Sequence, residues 1–246
     1  VDAASFSAER VTPVDRDQAL LPFSEDRLGP ALLVADLDGD GWTDVALGGP
    51  SGVPLRILRN EGGRRLVKVS VPELEESVKP EIVALALLDL DGDGKGDLWA
   101  SGGGIEGELG SSAYRDRVYM LKERIQNLEA GWVSQAARSS GPVAVADFDG
   151  DGVSTLLVAG GPTARSYPLS EPNAVYLSER GGLRRHEGPF AEAFREAGKL
   201  TDLLPIDLDA DGDTDLVSIE QWGEPAIWRN QAGELVREAW ELTQAA

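Results

Sequence analysis

A nine-residue acidic loop occurs four times in this 246-residue chain. It reads Asp36-Leu37-Asp38-Gly39-Asp40-Gly41-Trp42-Thr43-Asp44 and returns at 89–97, 147–155 and 207–215, its starts 53, 58 and 60 residues apart. Each copy places oxygen-bearing side chains at loop positions 1, 3, 5 and 9 and a glycine at position 6. Carboxylates this crowded repel one another unless a cation sits among them. Calcium accepts about six to eight hard oxygens at flexible angles, and the glycine turns the backbone so that the position-7 carbonyl also faces the ion. One copy would pass for a solvated acidic turn. Four copies read as a metal-binding repeat.

The loop begins like an EF-hand, which requires a bidentate Glu at position 12 and a helix on either side. Position 12 is Leu47, Ala100, Val158 and Ser218, so that ligand is missing every time. The flanks are short apolar runs: Ala31–Ala35 and Val45–Leu47 around the first loop, Ile82–Leu88 and Leu98–Ala100 around the second, Val143–Ala146 and Leu156–Ala159 around the third. Runs this short, cut by Gly-Gly or Asp, predict buried strands. The site is strand-loop-strand.

The pattern D-x-D-G-D-G-x-x-D between two strands, repeated about every sixty residues, resembles the FG-GAP/VCBS repeat of integrin α-subunit propellers and many secreted bacterial proteins. The resemblance implies an all-β fold, a β-propeller in which each repeat is one four-stranded blade and the calcium loop joins its first two strands. Carried over position by position, it implies up to four Ca2+ ions. The first would be held by Asp36, Asp38, Asp40 and Asp44 with the Trp42 carbonyl, the second by Asp89, Asp91, Asp93 and Asp97 with the Lys95 carbonyl. The third would take Asp147, Asp149 and Asp151 with the Val153 carbonyl, and the fourth Asp207, Asp209, Asp211 and Asp215 with the Asp213 carbonyl. Thr155 departs from the pattern, offering a neutral hydroxyl where the family has a carboxylate, so the third site is expected to be the weakest. Ala210 replaces a loop glycine, a smaller departure because Gly212 remains.

Residues 1–246 thus read as a single propeller domain. Third strands are predicted at Pro54–Arg59, Val118–Leu121, Ala174–Leu177 and Ala226–Arg229, and fourth strands at Arg65–Val71, Gly131–Ala137, Leu183–Glu187 and Glu234–Trp240. Asn60–Gly63 is a hairpin turn. Short helices are predicted near Glu73–Val78 and, from the spacing of Phe190, Ala193, Phe194 and Ala197, ahead of Gly198. Ser5–Thr12 alternates like the last strand of a further repeat, and Asp15–Pro30 is a connection. A closed four-bladed ring is preferred over an arc of a larger propeller, because an arc would expose apolar blade faces.

The net charge is −20, and fifteen of the 43 acidic residues occupy ligand positions. Much of the acidity is therefore local metal chemistry, and the balance argues against nucleic acid or anionic membrane as partners. There is no cysteine, hence no disulfide or thiolate chemistry. The longest apolar run, Ile82–Leu88, is too short to insert in a membrane. No signal peptide is visible at Val1, in keeping with a mature form. Loops of this kind suit compartments where calcium is plentiful, so a secreted, periplasmic or cell-surface location is expected.

Catalytic motifs are weak. Gly102–Gly107 matches G-x-G-x-x-G but no helix or βαβ unit surrounds it, so it reads as a flexible inter-strand loop. His186 is the only histidine, and no G-x-S-x-G elbow accompanies it. No carboxylate pair is singled out. Trp99 and Trp228 read as core, and Trp42 and Trp222 as packing against a neighbouring blade or, exposed, as anchors for a sugar or protein. The chain is read as a calcium-binding adhesion or binding module for a protein or carbohydrate. The alternatives are a propeller-based lyase or hydrolase, and a structural subunit of a larger extracellular assembly.

Overall fold

The computed structural model describes residues 29–75, 81–105, 108, 110, 111, 114–122, 125–128, 137–164, 166, 168–179 and 182–238. Within these, each repeat folds into one four-stranded antiparallel sheet whose strands lie side by side in chain order. The first blade is β1 (Leu32–Ala35), β2 (Asp44–Leu47), β3 (Arg56–Asn60) and β4 (Leu66–Lys68). The second is β5 (Ile82–Leu88), β6 (Asp97–Gly102), β7 (Arg117–Leu121) and β8 (Ile125–Leu128). The third is β9 (Ser140–Ala146), β10 (Thr155–Gly160), β11 (Ala174–Glu179) and β12 (Gly182–Arg185). The fourth is β13 (Leu200–Ile206), β14 (Asp215–Glu220), β15 (Ala226–Gln231) and β16 (Glu234–Glu238). Every acidic loop joins the first strand of a blade to its second, as expected. The chain is an all-β protein of four propeller blades.

First strands pack beside one another in succession, β1 by β5, β5 by β9 and β9 by β13. Alternation along a strand sends successive side chains to opposite faces, and this sets the interfaces. Counting back from the first Asp of each loop, positions −1 and −3 face the following blade and positions −2 and −4 the preceding one. Leu33 and Ala35 therefore meet Leu85 and Leu87 in the core between blades one and two. Ala86 and Leu88 meet Val143 and Val145 between blades two and three. Ala144 and Ala146 join Leu203 between blades three and four.

The third core has small alanines at its first strand, and a helix fills the space. α2 (Pro189–Glu196) lays Phe190 and Phe194 against Trp228, with ring centroids 5.7 and 6.1 Å away. Asn173 holds the end of that helix, its side-chain amide donating to the carbonyls of Phe194 (2.8 Å) and Ala197 (2.7 Å). Trp99 and Trp228 are fully buried, as expected of core residues.

One expectation needs revision, and another falls partly outside the described residues. The fourth strand of blade two is β8, not Gly131–Ala137, because Ile125–Leu128 pairs directly with β7; residues 131–136 lie outside the described ones. The helix expected at Glu73–Val78 is described only as α1 (Pro72–Glu75), a single turn that buries Leu74. The N-terminal strand at Ser5–Thr12 and the connection up to residue 28 also lie outside the described residues.

Candidate metal loops

The first Asp of each loop organises its turn. Asp36 Oδ1 accepts from the Gly39 and Asp40 amides (2.9 and 3.2 Å), and its Oδ2 from Gly41 (2.9 Å). Asp89 makes the same three bonds to Gly92, Asp93 and Gly94, and Asp147 bonds Gly150 and Gly152, both at 2.8 Å. The fourth-position glycines that permit this turn have φ of +77°, +76° and +71° (Gly39, Gly92, Gly150). Ala210 is forced to the same region at +61°, and Asp207 is seen to bond only Gly212 (3.1 Å). The position-5 carboxylates accept from the position-7 amides of Trp42, Lys95, Val153 and Asp213.

These turns bring carboxylate oxygens within 4.8 Å of one another in four groups: Asp36, Asp38 and Asp40; Asp89, Asp91 and Asp97; Asp147, Asp149 and Asp151; Asp207, Asp209 and Asp211. All the donors are hard oxygens, which suits calcium and not a soft metal. Position 12 cannot contribute, since Ala100, Val158 and Ser218 are buried inside strands.

The ninth residue has a further task. Asp44, Asp97 and Asp215 are buried, and each accepts two backbone N–H groups, one from position 2 of its loop and one from the third strand. For Asp44 the donors are Leu37 (3.1 Å) and Asn60 (2.7 Å). For Asp97 they are Leu90 (3.2 Å) and Leu121 (3.1 Å), and for Asp215 Leu208 (3.1 Å) and Asn230 (2.8 Å). In Asp44 and Asp97 each carboxylate oxygen keeps a lone pair for an ion, whereas Asp215 Oδ2 also accepts from Arg229 (2.9 Å). In blade three, with Thr155 at this position, the Ser178 amide donates instead to the Ser154 carbonyl (3.2 Å).

Basic side chains reach the position-3 carboxylate in three loops: Arg59 to Asp38 (2.6 Å), Lys122 to Asp91, and Arg229 to Asp209 (3.2 Å). The Lys122 hydrogen bond holds Asp91 below the usual carboxylate range. At Asp149 desolvation dominates, joined by repulsion from Asp151, and its carboxyl is pushed up. Burial also raises Asp97. Asp215, equally enclosed, ends up lowered because the Asn230 and Leu208 amides and the Arg229 guanidinium together outweigh burial.

The loops are also mortar between blades. Ser178 of blade three donates to the Asp89 carbonyl (2.8 Å) in the second loop, and Asn230 of blade four to the Phe148 carbonyl (2.6 Å) in the third. Gly233, at φ +92° in the β15–β16 turn, leaves no room for a side chain beside Asp149: a Cβ there would lie 2.9 Å from the Asp149 Cβ. These supporting residues were missed in the sequence, where Asn230 and Ser178 look like ordinary strand-end polar residues.

Other candidates resolve simply. Gly103 and Gly104 are buried and tied to neighbouring segments, Gly103 N–H to the Glu81 carbonyl (3.0 Å) and Ser139 Oγ to the Gly104 carbonyl (3.0 Å); this part of the expected flexible loop is packed. His186 follows β12, and its amide donates to the Val175 carbonyl (2.8 Å). Trp42 lies over Gly63 in the hairpin of its own blade, and Trp222 is exposed.

Residues 36–100 match the family described as FG-GAP-like repeat. No curated protein matches the chain. Among solved structures it is similar to an Agrocybe aegerita lectin, a β-propeller described by its specific recognition of non-reducing terminal N-acetylglucosamine. That match has a TM-score of 0.50 at 19% identity and covers 83% of this chain and 50% of the lectin. The chain thus spans about half the lectin's length, and at this identity the likeness is one of fold. A BBS1N–ARL6DN complex soaked with lead matches at 14% identity over 86% of this chain and 81% of the other, but its TM-score of 0.33 carries no argument.

Proposed function

Starting from a propeller that carries an FG-GAP-like repeat, we propose that the chain is a calcium-loaded binding module acting outside the cytoplasm. The observation that carries this reading is the recurrence of a three-carboxylate group in the loop that joins the first two strands of every blade. Calcium would supply charge neutralisation there, letting acidic loops lie against the next blade. The same loops keep the blade edges in a fixed relation, and the connections between them offer a variable surface. Exposed Trp222 is suited to stacking on a sugar ring. The lectin's described ligand makes a glycan the first class to test, with a protein ligand second.

With a dissociation constant of about 0.1 mM and about 1 mM free ion, each site would contribute roughly 1.4 kcal/mol, and four about 6. That is comparable with a typical total stability of roughly 5 to 15 kcal/mol. Calorimetric calcium titration, thermal melting with and without EDTA, and a glycan array with and without calcium test the reading together. An unchanged melting midpoint in EDTA sinks the calcium role. Turnover on a glycan lyase or hydrolase panel would replace the binding module by an enzyme.

A further inference from the structure

The rule that orders the blade interfaces leaves two faces over. In blades one to three the forward-facing position −1 and −3 residues lie in a core, and so does the apolar residue at loop position 2: Leu37, Leu90 and Phe148 are all buried. In blade four the same three positions are Leu204, Ile206 and Leu208, exposed by 54%, 40% and 40%. Beside them on β14, Ile219 is exposed where its counterpart Ala159 is fully buried.

The other end of the chain shows the complement. Positions −2 and −4 of blades two to four, such as Leu85 and Leu203, face the preceding blade from within a core. In blade one they are Val34 and Leu32, exposed by 56% and 63%. Val45 and Leu47, paired with them on β2, are half-buried, whereas Leu98 and Leu156, one residue past the ninth loop position like Val45, are completely buried. Closure within one chain would bury both faces against each other.

The two faces continue an interface already used three times, and they differ in charge as partners should. Arg56 pairs with Leu47 and Lys68 with Leu58, which places both cations on the blade-one face. Asp202 and Glu238 pair with Ile219 and Ile227 and so lie on the blade-four face; Glu238 is bound there to Arg229 (3.3 Å), which makes Asp202 the carboxylate that faces those cations.

We propose that a second copy of this chain covers both faces, the blade-one face of each copy seated on the blade-four face of the other. A twofold axis makes the two contacts equivalent and closes a ring of eight blades, the upper end of the common range of about four to eight. A head-to-tail contact that closes leaves no face free for further growth. The proposal does not depend on which ligand the module takes.

Sedimentation equilibrium of the chain in calcium, over a wide concentration range, is the test. The expected mass is twice the 26.2 kDa of one chain. Leu204→Asp with Ile206→Asp alters one face, and Leu32→Asp with Val34→Asp the other; all four side chains are exposed in the single chain, so each variant should stay folded, with a cooperative melt whose midpoint no longer depends on protein concentration. Each variant alone damages both contacts and should sediment as a monomer, its self-affinity at least tenfold weaker. Mixing the two variants restores one intact contact and should recover the double mass. A single-chain mass for the unaltered protein at every concentration overturns the proposal and points to residues 1–28 or another protein as the cover. A dimer that survives both variants, or a mixture that stays monomeric, overturns it equally.

Discussion

The side-chain amide of Asn230 donates to the carbonyl of Phe148 at 2.6 Å, across 82 residues of chain. The second residue of the third loop is thereby fastened to the last strand pair of the next blade. Asn230 is buried, and its side chain also bonds the Thr214 carbonyl (3.0 Å) and the Gly233 amide (2.8 Å). Asn230→Leu removes all three bonds and leaves buried carbonyls unpaired, a loss of about 2 to 4 kcal/mol. Denaturant melts measure it, and amide exchange in residues 148–152 should quicken more than in the first loop. Equal exchange in both loops would show that the bond does not hold the third loop.

Ala210 occupies a left-handed backbone conformation that glycine takes in the other three loops. A side chain there costs roughly 1–2 kcal/mol, partly offset by the greater unfolded-state freedom of glycine. Ala210→Gly is therefore expected to stabilise the protein by about 1 kcal/mol, and Gly39→Ala to destabilise it by a similar amount. Differential scanning calorimetry of the pair checks the sign of both.

Thr155→Asp separates two roles of the ninth loop residue. A carboxylate there can accept the Phe148 and Ser178 amides as Asp44 accepts those of Leu37 and Asn60. If the brace matters, the melting midpoint rises in EDTA as well as in calcium. A rise confined to calcium would assign the residue to ion binding alone, and no rise in either condition would remove both roles.

Arg229 lies 2.9 Å from Asp215 and helps hold that carboxyl below its usual value. A lowered folded-state pKa adds stability that is present above the unfolded carboxylate value, about 3.9, and is lost as pH falls through the folded value. Arg229→Met should consequently lower the melting temperature at neutral pH and have less effect in strong acid, once the folded-state value of Asp215 has been passed. A loss of equal size at both pH values would mean that the guanidinium acts through packing alone.

The loops and the strands beside them were legible because each carries a dense signal: fixed carboxylate spacing, a turn glycine and a short flanking apolar run. β8 was not, since a four-residue edge strand pairs on one side only and Gln126 and Asn127 interrupt any alternation. The braces were invisible for another reason. Ser178 and Asn230 act on main-chain atoms of a different repeat, and nothing local in their sequence announces so distant a partner. The reach of Arg59, Lys122 and Arg229 into the loops likewise depends on where the third strand ends relative to its own blade's turn.

The alternation that assigns −1 and −3 to one neighbour and −2 and −4 to the other has a consequence for how such proteins change over generations. Because every blade presents the same pair of surfaces, duplicating or deleting one repeat joins surfaces that already fit. Copy number can then drift without any compensating substitution in the remaining repeats. What resists such drift is the embellishment peculiar to one junction: α2, with Phe190 and Phe194 against Trp228, fits only between the alanines of the third blade and the tryptophan of the fourth. That junction should be inherited as a unit while its neighbours are gained and lost.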